Sequence, residues 1–391
     1  RSYFDQGGFP LYRADRLDLT SLTPKVRVPF QTGSLQHRVV AGFDLHSWRL
    51  RSDRTDRPEN IARPANRVRV DHDTQAFYVQ DTVELRRSTI AHAGWRTERA
   101  TYAGDDAADP ASPACFFCAA APSVRRTLEQ DAWELGLRQG LGAAWAVFGR
   151  LAKSFRFVNA EEIYENDAFF APQFQVLQPQ TARTAEVGAE WKRGAHRLRA
   201  TLFRTDVSNE IHLDPFTTGV GNTNLPPSRR QGLELDGSWQ AAPALRFGAA
   251  YAYTDARFLQ GTLPGGFFAI GTDMPIAGRQ VPLVPRHKLN ANVAWDVTAA
   301  TQLSAAVTAV SSQVMDNDQP DTLGRRIPAY GVVDAKLSHR LGWGRLALAV
   351  NNLFDNGYYT YAVRSAFVAD RFAVYPLPGR TVSVTAEIAL H

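Results

Sequence analysis

The sequence holds little sulfur, with two cysteines and two methionines in 391 residues. The cysteines lie three apart, as Cys115 and Cys118 in the stretch PACFFCAA. They have no second CxxC and no neighbouring histidine, so the ligand pattern of a zinc site is missing, and no βαβ pattern surrounds them for thioredoxin-like chemistry. What remains is a small disulfide staple in an exposed loop, formed in an oxidising compartment. Catalytic signatures are missing too. There is no GxSxG, no HExxH and no P-loop, and His37, His46, His72, His92, His196, His212, His287, His339 and His391 are scattered through turns and strands. The chain therefore reads as a non-enzyme, with no cofactor and no metal. No apolar run approaches the roughly eighteen residues that a membrane helix needs, which excludes a helical membrane protein.

Charge of one sign is also scarce. Forty-four Lys and Arg face 39 Asp and Glu, a net of +5, without any Lys/Arg block. Basic residues spread over strands and turns give no stripe for nucleic acid, whereas a basic lumen or loop surface would attract an anionic ligand. The mean hydropathy of −0.28 is that of a soluble protein. It still permits a transmembrane β-barrel, because only half of each strand would face lipid.

What the sequence does contain is a period of two. In RTVSVTAEIAL, Thr381, Ser383, Thr385 and Glu387 are polar, while Val382, Val384, Ala386, Ile388 and Leu390 are apolar. A strand with one apolar and one polar face sits between two different surroundings. The same alternation recurs as hairpins. They pair Arg16 to Pro29 with Gln36 to Trp48, Thr74 to Arg86 with Ser88 to Ala100, and Glu129 to Gln139 with Ala143 to Phe155. They continue with Thr181 to Lys192 and Ala195 to Asp206, Arg229 to Gln240 and Ala244 to Asp255, Arg286 to Val297 and Thr301 to Ser312, and Tyr330 to Arg340 and Arg345 to Leu353. Asp81 interrupts the apolar face formed by Phe77, Val79, Val83 and Leu85; either a bulge shifts the register there or a neighbour shields the acid.

With the closing strand these make about fifteen candidates, each near or above the roughly 9 to 11 residues that cross a bilayer when tilted. Short polar turns alternate with long connections such as Leu50 to Asp73, Tyr102 to Leu128, Arg156 to Gln180 and Ala256 to Pro285. That asymmetry belongs to outer-membrane barrels and not to soluble sandwiches. Trp48, Trp95, Trp133, Trp145, Trp191, Trp239, Trp295 and Trp343 fall mostly near strand ends, where an amphipathic ring prefers the headgroup boundary. The expected fold is all-β, an antiparallel transmembrane β-barrel forming a single domain over residues 1–391.

The stretch from Asn351 to His391 resembles the carboxyl end of a TonB-dependent outer-membrane receptor. Asn351, Asn352, Leu353, Phe354 and Asp355 stand where that family has NNLFD, and Tyr375, Pro376, Gly379 and Arg380 where it has its aromatic-Pro-x-x-Gly-Arg turn. Ala76 to Leu85, Ser154 to Tyr164 and Arg229 to Trp239 carry further matches in the family's order. One departure is the end, Leu390-His391, where such barrels close on an aromatic residue; either the imidazole substitutes or that assembly signal is weak. The resemblance implies a barrel of about 22 strands, so that fifteen would leave about seven missing, together with the amino-terminal plug and the TonB box. Arg1-Ser2-Tyr3 begins neither a signal peptide nor an open reading frame with Met. The expectation is a mature or truncated fragment, without a cytoplasmic location being implied.

The resemblance further implies an outer-membrane receptor and transporter of a Gram-negative bacterium, a monomer in outer-membrane lipid. It would bind a scarce ligand outside and pass it inward when the TonB complex rearranges the plug. A ferric siderophore is the leading ligand, with cobalamin, haem or oligosaccharides as family alternatives; the alternative function is a passive porin-like channel. Aromatic and Arg clusters in the long loops are the candidate ligand-binding residues: Phe169, Phe170 and Phe174, then Phe267 and Phe268, then Tyr358, Tyr359, Tyr361 and Arg364. Aromatic faces and guanidinium groups suit a planar or anionic chelate.

Overall fold

A computed structural model describes the chain apart from residues 1, 7, 8, 116, 117, 167–170, 215–220, 265–271, 366, 367, 369 and 389–391. The amino-terminal strands are β1 (Ser2–Gln6), β2 (Phe9–Leu22), β3 (Lys25–Thr32) and β4 (Leu35–Thr55), followed by β5 (Asn66–Arg86), β6 (Thr89–Ala108), β7 (Val124–Leu141) and β8 (Trp145–Arg156). A short hairpin of β9 (Tyr164–Asn166) and β10 (Pro172–Phe174) precedes β11 (Gln180–Arg193) and β12 (His196–Ser208). A second, β13 (Glu210–His212) with β14 (Thr223–Leu225), precedes β15 (Ser228–Ala242) and β16 (Leu245–Phe258). A third, β17 (Thr262–Pro264) with β18 (Asp273–Pro275), precedes β19 (His287–Asp296), β20 (Thr301–Val310), β21 (Tyr330–Leu341) and β22 (Gly344–Asn351). The last short hairpin, β23 (Tyr359–Arg364) with β24 (Phe372–Pro376), leads into β25 (Thr381–Ile388).

Seventeen of these strands form one antiparallel sheet, the wall of a barrel, with sequence neighbours paired from β4 to β25 once the short hairpins are set aside. Among the described residues β25 pairs only with β22, so the wall stays open along that edge. Every expected strand lies in this wall, with one break. The segment from Arg16 to Pro29 is divided between β2 and β3, which pair with the upper and lower halves of β4. Pro24 causes the division because it has no N–H to donate to a ladder. Its carbonyl still accepts from Phe43 N–H at 3.1 Å, which keeps the two halves on one line.

Several of the expected strands are the lower parts of longer ones, β4 to β7 above all. In β5, Phe77, Val79 and Leu85 are exposed apolar side chains on one face, and Tyr78, Gln80, Thr82 and Glu84 share the other. Beyond Ala76 the polarity reverses. Arg67, Arg69 and Gln75 continue the face of Phe77 and are exposed, while Val68, Val70, His72, Thr74 and Ala76 are buried. A strand that leaves a lipid layer and enters a loop assembly exchanges its surroundings on both faces at once, and its alternation inverts at the crossing.

Along the lower wall the exposed apolar face continues strand to strand through Leu135, Leu151, Val187, Leu202, Leu303, Leu337, Leu348 and Val384. The opposite face carries a charged ladder. Arg150 bonds Glu134 and Glu186, and Glu134 also takes His92 at 2.6 Å. Arg96 bridges Asp44 and Glu98. Such pairs across strands keep a polar lumen satisfied while holding the register.

Tryptophans rim the apolar layer. Trp145, Trp191 and Trp239 follow one another at 6.4 Å spacings, and His196 stacks on Trp239 at 4.0 Å. Trp48 departs from this pattern: it faces the other way and stacks on His72, which stacks on Tyr102. The open question at Asp81 is resolved as well. The β4 to β5 register runs through it unbroken, and His37 Nδ1 lies 2.7 Å from its carboxylate, so the acid is shielded rather than displaced by a bulge.

Candidate functional site

The tight turns and the long connections lie at opposite rims. The three clusters of buried apolar residues are all built at the long-loop rim. The largest begins with the row of Trp48, His72 and Tyr102 on the inverted upper halves of β4, β5 and β6. Tyr102 donates its phenolic hydrogen to the Val158 carbonyl at 2.6 Å, seating the loop after β8 on the wall. That loop is stiffened where Asn159 and Glu162 form a capping box around a single 3-10 turn and Arg156 pairs with Glu162.

Next to it Tyr164 donates to Asp106 at 2.9 Å, and the Arg54 guanidinium lies 4.0 Å over the Tyr164 ring. Burial pushes the Tyr164 phenol well above its usual range. Asp106 also accepts from Asn66 and from the Ala121 N–H, so one carboxylate ties β5, β6 and the loop between β6 and β7. In that loop the sulfurs of Cys115 and Cys118 are bonded, with Cα atoms 4.9 Å apart.

A polar belt then runs from loop to loop. The Asn222 N–H donates to Glu165 at 2.8 Å, and Asn222 Oδ1 accepts from the Asp214 N–H at 3.0 Å. Asp214 in turn accepts from Asn317 Nδ2 at 3.1 Å, and Asn317 Oδ1 lies 2.9 Å from His212 Nε2. Asn317 is held at φ +58°, a left-handed turn that asparagine tolerates better than most residues. Beyond it, Asp316 and Val363 form a parallel bridge that lays the connection after β20 against β23.

On that bridge Tyr361 donates to Asp316 at 2.7 Å, and Arg364 donates to Asp318 at 2.9 Å and to Thr322 at 2.8 Å. Asp318 is fully buried and also receives the N–H groups of Thr322 and Leu323. Four long loops are thus fastened side by side into a continuous outer rim.

The sequence candidates divide among these places. Tyr361 and Arg364 lie in the belt, each bound to an aspartate. Tyr359 packs against the cluster of Met315, Leu323, Ile327 and Ala362, and Tyr358 lies 4.9 Å from the ring of Tyr330. Phe174 sits on the far cluster, edge-on to Tyr164 at 5.1 Å. The structure therefore brings the tyrosines and Arg364 together and leaves Phe174 apart. Phe169, Phe170, Phe267 and Phe268 lie outside the described residues. Sequence reasoning passed over Asp214, Asp316, Asn317 and Asp318, although the run Asp316-Asn317-Asp318, followed by Gln319-Pro320-Asp321, is a turn signal. Chemically, the rim offers ring faces, amides and guanidinium groups on a fixed frame, which suits non-covalent capture of a polar ligand.

Comparison with known proteins places this architecture. Residues 1–353 match the family model described as TonB dependent receptor-like, beta-barrel. The chain is 25% identical over 386 residues, 92% of its length, to the metal-pseudopaline receptor CntO of Pseudomonas aeruginosa, of which this covers 49%. It is 28% identical over 219 residues to the probable TonB-dependent siderophore receptor PiuA of Acinetobacter baumannii, covering 54% of the chain and 27% of that protein. Among solved structures, the ferric yersiniabactin uptake receptor FyuA of Yersinia pestis superposes with a TM-score of 0.75 at 17% identity, over 98% of this chain and 55% of that one. The chain spans about half or less of the length of the curated relatives it matches.

Proposed function

The chain belongs to the TonB-dependent receptor β-barrel family, and on that premise we propose that it forms the wall and outer vestibule of an outer-membrane receptor for a ferric siderophore or similar metal chelate. In this reading the protein is a monomer of a Gram-negative outer membrane and draws on the TonB complex to move its ligand inward. The single observation that carries the proposal is the fastened outer rim. Four loops are held by the belt from Glu165 through Asn222, Asp214 and Asn317 to Asp318 and Arg364, above a wall with an apolar outside and a charged inside. A barrel that only let solutes diffuse would gain nothing from preorganising its outer loops, whereas capture of a dilute ligand gains affinity from a frame already in place.

The relatives named above are receptors for chelates, which favours uptake over passive diffusion. We assign ligand contact to Tyr358, Tyr359, Tyr361 and Arg364 at the rim and to Phe174 on the far cluster, and propose Phe169, Phe170, Phe267 and Phe268 as further contacts from the sequence alone. The test is uptake of iron-55 chelates by iron-starved cells with the gene present, deleted, and present in a TonB-deficient background. Uptake that needs both the gene and TonB supports the proposal. Equal uptake in all three strains, or gene-dependent uptake that ignores TonB, overturns it, the latter in favour of a passive channel.

A further inference from the structure

On the outside of the wall, the apolar layer ends upward in cations. The outward side chains of β8 climb through Val147 and Leu151 to Lys153, those of β11 through Val187 and Ala185 to Arg183, and those of β12 through Leu198 and Leu202 to Arg204 and Asp206. Each strand changes from aliphatic to cationic in one outward step. Strand register sets this change at one boundary. Trp95 pairs with Trp133, Trp133 with Lys153, Lys153 with Arg183, Arg183 with Asp206 and Asp206 with Arg229. Tryptophan prefers the headgroup level, so the row that joins it to these cations marks where lipid headgroups meet the wall. Because β8, β11, β12 and β15 are each paired along both edges, the patch is part of the wall's continuous outer surface.

The charges in this row do not balance. Lys153 donates to Asp131 at 2.7 Å, and Asp206 accepts from Arg229 at 2.6 Å and from Arg204 at 3.2 Å. Arg183 stands directly opposite Asp206, yet among the described residues it makes no ion pair, and both oxygens of that carboxylate are already engaged. Its other neighbour is Lys153, a like charge directly across the ladder, which costs stability unless an anion lies between them. Four cations, Lys153, Arg183, Arg204 and Arg229, thus face two carboxylates, Asp131 and Asp206, which leaves two positive charges over. Arg183 and Arg204 are both exposed.

We propose that this outward patch binds a lipid with a phosphorylated headgroup. Its phosphate lies between Arg183, Lys153 and Arg204, and its acyl chains run down the apolar layer over Val187, Leu151 and Leu202. Guanidinium forks suit phosphate oxygens, and the leftover charge matches that of a phosphomonoester. The exposed aliphatic side chains directly below the cations give the acyl chains their place. An anion so placed also relieves the repulsion between Lys153 and Arg183. The site rests on the wall lying in a membrane, as family membership gives it, and is independent of what the barrel carries.

The experiment titrates the full-length protein, purified in detergent, with phosphatidic acid, with the diacylglycerol of the same chains, and with inorganic phosphate. Brominated acyl chains report by quenching tryptophan, because Trp133 pairs with Lys153 in the row, and native mass spectrometry follows the lipid retained. Phosphatidic acid should bind saturably, about tenfold or more tightly than diacylglycerol, and more weakly as salt is raised. The paired change Arg183→Glu and Arg204→Glu should weaken it about tenfold or more, as loss of charged hydrogen bonds does, and Arg183→Lys with Arg204→Lys should keep most of it. Equal binding of phosphatidic acid by the native and charge-reversed proteins would overturn the site. Diacylglycerol binding as tightly as phosphatidic acid would overturn it too, showing apolar contact alone. Inorganic phosphate saturating as tightly as the lipid would overturn it in favour of a free-anion site. Arg183→Gln removes one exposed cation and leaves the ion pairs of the row in place, which guards against misfolding. It should show a smaller loss in the same direction, and no loss would count against the site.

Uptake by cells keeps this proposal apart from the receptor assignment. A native protein that holds phosphatidic acid but takes up no chelate in a TonB-dependent manner would defeat the receptor reading and leave the lipid site standing. TonB-dependent uptake by a protein that does not bind phosphatidic acid would remove the lipid site alone.

Discussion

Tyr361 and Asp316 stand 45 positions apart in the chain and 2.7 Å apart in the structure, phenol to carboxylate. The contact exists because Asp316 and Val363 lie in parallel bridge register, which brings the connection after β20 against β23. It is one of the fastenings that turn separate surface loops into a shared rim, and its removal is the simplest test of whether that rim is rigid.

Changing Tyr361 to Phe keeps the ring and deletes the donor. Loss of one charge-assisted hydrogen bond in a half-buried site should cost roughly 1 to 2 kcal/mol of local stability. Hydrogen exchange in residues 313–329 and 359–364 should quicken, with the strands of the wall unchanged; unchanged exchange would show that the contact holds nothing. Burial first, and the bond to Asp316 second, raise the Tyr361 phenol above its ordinary range. The folded rim therefore prefers the protonated phenol. Its contribution is fully present below about pH 10, the ordinary phenol value, and is lost as pH climbs toward the raised folded value. Native rim exchange should accelerate above about pH 10 and that of the Phe variant should not.

Asp318 should matter more than Asp316. It is fully buried and receives Arg364, Thr322 and two backbone N–H groups. Asp318→Ala takes the acceptor from the two backbone N–H groups and leaves Arg364 only its bond to Thr322, at a cost of about 3 kcal/mol or more, because an unpaired buried group forfeits its full solvation. Limited proteolysis should cut between residues 313 and 329 in the Ala variant, with partial protection in Asp318→Asn. Equal cutting of native and Ala proteins would contradict this.

Val79 and Gln80 are adjacent in β5 and point to opposite faces. Val79→Lys puts a charge into the apolar layer and should cost about 2 to 4 kcal/mol if it lies near mid-bilayer. Gln80→Lys faces the lumen and should stay within about 0.5 kcal/mol. Urea titration of folding into lipid vesicles measures both, and similar penalties would mean that the two faces have been assigned wrongly.

Gly232 leaves no room for a side chain. A Cβ there would overlap the Tyr253 carbonyl oxygen of the neighbouring strand and press on the Phe203 ring. Gly232→Ala should destabilise the β15 to β16 pairing by about 1 to 3 kcal/mol, the usual cost of overpacking. A midpoint shift in the same vesicle assay reads it, and Gly194→Ala, whose Cβ would meet nothing but whose φ is +60°, separates crowding from backbone strain.

Acid should loosen the loop that carries the disulfide. Asp109 accepts from Arg63 at 2.8 Å and from the Ala111 N–H at 3.0 Å, and these, the arginine first, hold its carboxyl below the usual carboxylate range. A lowered folded pKa gives stability that is present above the ordinary value and lost as pH falls through the folded one. Proteolysis of residues 109–123 should increase as pH drops below about 4, the ordinary carboxylate value, and Asp109→Asn should already be susceptible at neutral pH.

How far the sequence reached is visible within single strands. Thr74 to Arg86 was legible because Phe77, Val79 and Leu85 alternate against Tyr78, Gln80 and Glu84. The eight residues of β5 before it, Asn66 to Asp73, were read as loop because their polarity is reversed and the alternation loses phase with the rest. Likewise the long connections were legible as long, while their own hairpins were not. Three-residue strands such as β13 and β14 show no periodicity of their own and form only where another loop holds them.

Among the candidate residues, the sequence could single out Tyr361 and Arg364 as aromatic and basic, but their partners Asp316 and Asp318 lie more than forty positions upstream. Nothing local pairs them, since the pairing needs β20 to β23 folded into one rim. The sequence by itself determined the class of fold, because alternation with short turns and long loops admits few solutions in a lipid layer. Tertiary structure alone decided which face each charge takes above that layer and which loops are fastened to which. Those outcomes depend on contacts between distant segments, and the energy of a contact is not written in either segment alone.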